Sequence, residues 1–242
     1  MDRIESGCVR EPPVGAITKV LVVNEQPDAD LPAEVQGFAN RWDPTSTVRR
    51  KSLLSRISRA AELSGVCPQI YAGTLLGFVR EAKILDWDDD IDIATFNEPH
   101  LAEFLALLSD EGLSTFDHPN EGAGNTKIYD STYDEIPGQE YGPYTWPFVD
   151  LFVFEEEDGM FVCECDWNRV RFDASKIVPA KPVSFQGAKY WVPADEHYGL
   201  DAWYADWRTF EESPRWNHRQ EKPIMDIFRR RITTINGRKV IV

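Results

Sequence analysis

Four aspartates crowd into five positions of this chain, Asp88, Asp89, Asp90 and Asp92, within the run Trp87-Asp-Asp-Asp-Ile-Asp-Ile93. In a strand starting near Asp90, side chains alternate between faces, so Asp90 and Asp92 share one face while Ile91 and Ile93 point into the core. Carboxylates gathered on one face repel one another and take up protons unless a cation holds them apart. No Lys or Arg occurs between Lys83 and Lys127, so the local sequence supplies no such cation. A divalent metal, Mg²⁺ or Mn²⁺, is the natural counter-charge. Mg²⁺ binds through one or two carboxylates and shares its remaining positions among waters and phosphate oxygens.

Two further pieces fit this chemistry. Gly73-Thr74 pairs a residue that lets other groups approach the backbone closely with a hydroxyl, which are the requirements of a phosphate cradle. Asp150 stands alone in the apolar run Phe148-Val-Asp-Leu-Phe-Val-Phe154, where a charge is costly unless it coordinates something. It could complete a metal shell or take the proton from an attacking hydroxyl. Metal ions held by such acids stabilise the attacking and leaving oxygens of an in-line phosphoryl displacement. An Asp-x-Asp pair alone is commonly surface acid. The ordered set is far more specific.

The runs Gly73-Thr74-Leu-Leu-Gly77, Val79-Arg80 and Trp87 to Ile93 resemble the signature of the LicD family, which includes bacterial phosphocholine transferases of cell-surface glycans and fukutin-type ribitol-phosphate transferases. Phe148-Val-Asp-Leu-Phe152 resembles the family's downstream acidic strand, and Tyr198-Gly199 with Asp206-Trp207-Arg208 resembles its C-terminal motif more loosely. The resemblance spans roughly residues 48–210. It implies an α+β nucleotidyltransferase fold of the DNA-polymerase-β type, with a mixed β-sheet flanked by helices. It also implies Mg²⁺ held by Asp90, Asp92 and Asp150, with Asp88 as a further ligand. Such enzymes move a phosphate-linked small group, of phosphocholine or polyol-phosphate type, from a nucleotide-diphosphate donor, often CDP-linked, to a sugar, glycan or other hydroxyl acceptor. Arg80 falls on a basic position of the motif, where it would pair with donor phosphate or form an ion pair with Asp86 or Asp88. Lys127 is a weaker candidate for the same role. Asp86 stands where the family usually has Pro, and Glu81-Ala82-Lys83 replaces a His/Gly-rich turn. Two alternatives share the fold: transfer of a whole nucleoside monophosphate to a small acceptor, and a non-catalytic binding module.

Composition narrows the partners. The 242 residues carry a formal net charge of -15, without the basic footprint that nucleic-acid binding requires. No run approaches the ~18 apolar residues of a membrane span. The polar opening Met1-Asp-Arg-Ile-Glu5 has no leader-like apolar stretch, so a cytoplasmic protein with Cys8, Cys67, Cys163 and Cys165 reduced is expected.

The elements that must position the acids follow from periodicity. Residues 1–46 read as an N-terminal arm with a strand at 17–23 and a loop at 24–32, and residues 47–242 as the domain that the LicD resemblance implies, with a C-terminal helical tail. A helix is expected over 47–64, stopped by Gly65, with Leu53, Leu54, Ile57, Ala60 and Ala61 on its inner stripe and a solvated face of Arg49, Arg50, Lys51, Arg56 and Arg59. Strands at 66–72 and 90–95 flank a short helix ending near Arg80. Asn97 is the expected cap of a helix reaching Gly112. Short strands follow at 113–116 and 126–129, separated by the loop 118–125. Residues 130–147, rich in Pro and Gly, read as an active-site loop carrying Trp146, before the strand 148–154. His100, His118, His197 and His218 are scattered and read as surface or packing residues. Trp203, Trp207 and Trp216 read as packing residues that could also stack on a ligand.

Overall fold

The structure, a computed structural model, describes residues 37–118, 124–140, 142–165, 168–204, 206–225, 227, 229–235 and 238–241. The expected strand at 17–23, the loop at 24–32 and the centre of the 118–125 loop lie outside them. In chain order the elements are α1 (Pro44–Ser64), β1 (Gln69–Ile70), α2 (Ala72–Glu81), β2 (Asp92–Phe96), α3 (Leu101–Asp110), β3 (Ser114–Asp117), β4 (Asn125–Glu135) and β5 (Thr145–Glu157). Then come β6 (Met160–Cys165), β7 (Asn168–Asp173), α4 (Ala174–Ile177), β8 (Lys181–Phe185), β9 (Ala188–Val192) and α5 (Glu196–Trp203). The chain closes with β10 (Phe210–Glu212), β11 (Trp216–Asn217), β12 (Lys222–Pro223), β13 (Arg229–Ile235) and β14 (Arg238–Ile241).

The main sheet runs β3-β4-β5-β2-β1-β9-β8, with β6 and β7 continuing from the far end of β5. It is mixed: β2 lies parallel to β5 and β1 parallel to β9, while the other pairs are antiparallel. Both faces of the central strands are covered, which explains why their sequences read as apolar runs with single acids rather than as strict alternation. Ile93, Val149 and Leu151 pack with Leu53, Leu54 and Ile57 of α1 and Phe104 and Leu108 of α3. Ala94, Phe152 and Phe154 join a second cluster with Tyr71, Phe161 and Phe172. This is an α+β architecture around a mixed sheet, as expected.

The helix α1 forms for local reasons. Asp43 caps it by accepting from Ser46 N, Pro44 opens it, and Gly65 ends it in the left-handed region at φ 79°. Its basic face is solvated as expected only at Lys51 and Arg59; the other three side chains are drawn in or buried. Arg49 pairs with Asp134, Arg56 with Asp130 at 2.6 Å and Arg59 with Glu111 at 3.2 Å, and Arg50 is buried over the Trp42 ring at 4.4 Å.

Five other expectations change. The expected loop at 130–147 is shorter than the sequence suggests: β4 runs on to Glu135 and β5 starts at Thr145, with Asp134 opposite Trp146 after a register shift. Phe38 and Trp42, on the arm side of the expected boundary, lie in the main core. His100, rather than Asn97, precedes α3. The tail is helical only through α5, because β10, β13 and β14 form a separate antiparallel sheet and β11 and β12 a two-stranded ribbon. Cys163 and Cys165 are buried free thiols as expected, whereas Cys67 is disulfide-bonded. Among the described residues no helix is long and apolar enough to cross a membrane.

Candidate active site

The acids converge where β2 begins. Pairing of β2 with β5 sets Asp92 directly opposite Asp150, and the Asp150 amide donates to Ile91 O at 2.8 Å. Asp90, Asp92 and Asp150 each present an oxygen such that all three lie within 4.8 Å of one another. Ile91 and Ile93 are fully buried on the opposite side, so the alternation expected from the sequence is realised. Residues some 60 positions apart in the chain meet because two apolar strands pair in register.

The first turn of α2 closes over this face. Gly73 N donates to Asp92 Oδ2 at 3.1 Å, and Thr74 Oγ1 accepts from Asp92 N at 2.8 Å. Thr74 is fully buried, so its hydroxyl anchors the acidic strand instead of facing a ligand, as a phosphate cradle would require. Gly73 is required for a different reason. A Cβ there would sit 2.7 Å from Asp88 Oδ2 and 3.5 Å from Asp92 Oδ2. Gly77, one turn on, lets the 83–85 backbone pass, since a Cβ would meet Lys83 O at 2.5 Å. Gly73→Ala is expected to leave the melting temperature within about 2 °C, because the helix gains up to ~1 kcal/mol of propensity and only a carboxylate must move. Turnover is expected to fall roughly 10- to 100-fold, since the displaced acids lose their alignment. Parallel thermal and kinetic assays separate the two effects.

Two tryptophans hold the acidic turn from behind. Trp42 Nε1 donates to Asp88 O at 2.6 Å and Trp146 Nε1 to Asp89 O at 2.7 Å, and the two rings stack with centroids 5.0 Å apart. Trp146, expected on a loop and able there to stack on a ligand, is instead a buried strand residue gripping the backbone. Asp89 is fully buried beside Arg41 at 3.6 Å and accepts a long hydrogen bond from His218 N at 3.5 Å.

The electrostatics are those of crowded carboxylates. Burial and the neighbouring Asp90, Asp92 and Asp89 push the Asp88 carboxyl well above the usual range. Burial raises Asp89 to about 6 against the pull of His218 and Arg41. His218, read from the sequence as a surface or packing residue, enters this centre: Nε2 lies 3.2 Å from Asp90 Oδ2. Burial opposes its charged form, but the carboxylates of Asp90, Glu221 and Asp89 outweigh that and raise it to about 10. Nothing in the local sequence of His218 announces this, because it arrives from 128 residues beyond Asp90.

Lys127 and Arg80, the expected phosphate partners, have other engagements. Lys127 lies on β4 opposite Asp150, is almost fully buried, and places Nζ 2.8 Å from Asp150 Oδ1 and over the Phe148 ring at 4.6 Å. It is thus a partner of the third acid. Arg80 donates to the backbone carbonyls of Trp207 and Phe210, and Asp86 pairs with Lys83 at 2.8 Å, so neither expected Arg80 ion pair forms. Arg80 does line the cleft that opens beside Gly73 and Asp88, about 510 Å³, whose outer wall is formed by Trp203, Tyr204, Trp207 and Phe210.

A hard divalent cation fits this centre. The donors are all carboxylate oxygens, the spacing of Asp90, Asp92 and Asp150 suits shared coordination, and a side chain at position 73 would fill the space alongside.

Residues 65–195 match the family described as LicD/FKTN/FKRP, nucleotidyltransferase domain. Among curated proteins, the uncharacterized protein RP689 of Rickettsia prowazekii (strain Madrid E) is 24% identical over 148 residues, covering 58% of this chain and 48% of that protein. The uncharacterized protein RT0683 of Rickettsia typhi (strain ATCC VR-144 / Wilmington) is 26% identical over 145 residues, covering 58% of this chain and 40% of that protein. The chain spans about half the length of the curated relatives it matches. Among solved structures, ANT(2")-Ia in complex with adenylyl-2"-tobramycin aligns over 64% of this chain and 75% of its own at 15% identity, TM-score 0.38. The lincomycin-bound lincosamide antibiotic adenylyltransferase LnuA aligns over 62% and 83% at 15% identity, TM-score 0.37.

Proposed function

Because this chain belongs to the LicD/FKTN/FKRP nucleotidyltransferase-domain family, we propose that it is a Mg²⁺-dependent transferase with a nucleotidyltransferase fold. It moves a phosphocholine- or polyol-phosphate-type group from a CDP-linked donor to the hydroxyl of a sugar or glycan acceptor. The observation that carries this reading is the meeting of Asp90, Asp92 and Asp150 within 4.8 Å, at the point where β2 and β5 pair.

In this reading Asp90, Asp92 and Asp150 hold the cation, with Asp88 alongside. Mn²⁺ satisfies the same oxygen donors. When bound, the cation neutralises the charge that builds on the transferring phosphoryl oxygens. Gly73 keeps the cleft beside the acids open to donor phosphate, and the stacked Trp42–Trp146 pair fixes the turn that carries Asp88 and Asp89. Lys127 takes up one Asp150 oxygen, which supports a ligand role for that acid over a role as proton acceptor. The aromatic wall of the cleft suits a base or other flat group, and Arg80 braces that wall through its carbonyl bonds.

Product mass tests the reading. With Mg²⁺, a CDP-linked donor and a sugar acceptor, the acceptor hydroxyl should displace cytidine monophosphate and gain the phosphate-linked head group. An acceptor that instead gains a whole nucleoside monophosphate, with pyrophosphate released from a nucleoside triphosphate, would replace this reading with nucleotidyl transfer. A binding module would turn over neither. Before any acceptor is identified, thermal melts give a simpler check. Mg²⁺ at about 100 times its Kd should stabilise the protein by ~2.7 kcal/mol, roughly 5–10 °C for a domain of this size.

A further inference from the structure

Each of the three converging acids is gripped by a donor from a different part of the chain. Asp92 accepts from Gly73 N of α2 at 3.1 Å, and Asp150 pairs with Lys127 Nζ of β4 at 2.8 Å. For Asp90 that partner is His218, with Nε2 3.2 Å from Oδ2. His218 sits in the turn between β11 and β12, beyond residues 65–195 that match the family.

The turn is built to hold the ring still. His218 Nδ1 lies 3.5 Å from Glu221 Oε1, and Glu221 is itself held by Trp216 Nε1 at 3.1 Å. The ring meets Phe148 edge-on, with centroids 5.7 Å apart. The next residue, Arg219, lies over the Trp146 ring at 4.3 Å and donates to Arg41 O at 3.1 Å. Both ring nitrogens therefore face carboxylates within a frame fixed on either side.

We infer that His218, oriented by Glu221, is a positioning residue for Asp90: it takes one carboxylate oxygen and sets the direction in which Asp90 faces the shared cation site. This rests on the metal-binding reading above. Hydrogen bonds made to a ligating carboxylate from outside the ligand set fix its orientation, and losing one costs about 10- to 100-fold in metal affinity.

The test is a direct titration of the full chain with Mn²⁺, following bound ion by its spin resonance, alongside thermal melts without cation. His218→Ala should bind Mn²⁺ about 10- to 100-fold more weakly than wild type. His218→Gln, whose amide can donate near the place of Nε2, should recover most of that loss, a rescue that mere space-filling does not provide. Glu221→Gln keeps the imidazole but loosens its orientation and should weaken binding at least about threefold, so it carries the test if His218→Ala does not fold. Wild-type or tighter binding by His218→Ala overturns the inference, as does Gln performing no better than Ala, or unchanged binding by Glu221→Gln. Asp92→Asn run in parallel separates the two levels. If it binds Mn²⁺ as well as wild type, the acid centre is not the metal site and the inference falls with it. If it loses the ion while the His218 and Glu221 variants keep it, only the inference fails.

Discussion

Asp92→Asn is expected to lower turnover by about 10³-fold or more, equivalent to ~4 kcal/mol of transition-state stabilisation, while leaving the cation-free protein as stable as wild type or more so. Asn keeps the shape, and its Oδ1 can still accept from Gly73 N. The backbone bonds from Asp92 N to Thr74 Oγ1 and from Tyr71 N to Asp92 O are untouched. What disappears is one negative charge among Asp88, Asp90 and Asp150. With no cation present that charge is a liability, as the raised Asp88 carboxyl shows. The variant should therefore melt no lower than wild type, and Mg²⁺ should no longer raise its melting temperature. Retained turnover within tenfold of wild type, or an undiminished Mg²⁺ shift, would falsify the assignment of Asp92 as a ligand. The combination matters, because a variant that merely unfolded would lose activity and stability together.

The acidic centre was legible because its signal is local. Two-residue alternation placed Asp90 and Asp92 on one face, and a lone acid in an apolar run marked Asp150. Helices followed from caps and stops of the same short range, as with Asp43 and Gly65 around α1. The failures share a cause. Pro and Gly between residues 137 and 147 signal a turn, and there is one, but nothing local shows that pairing with β4 and stacking on Trp42 extend β5 back to Thr145. From the sequence alone Trp146 therefore reads as a loop residue. The roles of Arg41, Trp42 and His218 depend on meeting a turn that lies far off in sequence. Single lysines and arginines carry no mark of their partner, so nothing near Lys127 or Arg80 in the sequence shows that strand register and a neighbouring sheet engage them. Chemistry spaced by two residues was readable. The supporting contacts, spaced by tens of residues, were not.

Lys127→Met is the second large effect, and it acts on stability. Lys127 and Asp150 are both almost fully buried, with 2.8 Å between Nζ and Oδ1. Removing one member of such a pair leaves an uncompensated buried charge and costs about 3–5 kcal/mol. Here the stranded carboxylate also faces Asp90 and Asp92 within 4.8 Å, so the cost belongs at the upper end. At roughly 2–4 °C per kcal/mol for a domain of this size, the melting temperature should fall by about 10 °C or more. Two further measurements identify the cause. Saturating Mg²⁺ should restore part of the loss, since a cation at the acids replaces the missing counter-charge. Adding Asp150→Asn should also recover stability, so the double variant is more stable than Lys127→Met alone even though it carries one more change. A surface ion pair cannot behave this way: loss of Arg59, paired with Glu111 but largely exposed, should cost within about 1 kcal/mol. If Lys127→Met melts within about 2 °C of wild type, the pair is not what holds Asp150 in an apolar strand, and the source of its counter-charge must lie elsewhere.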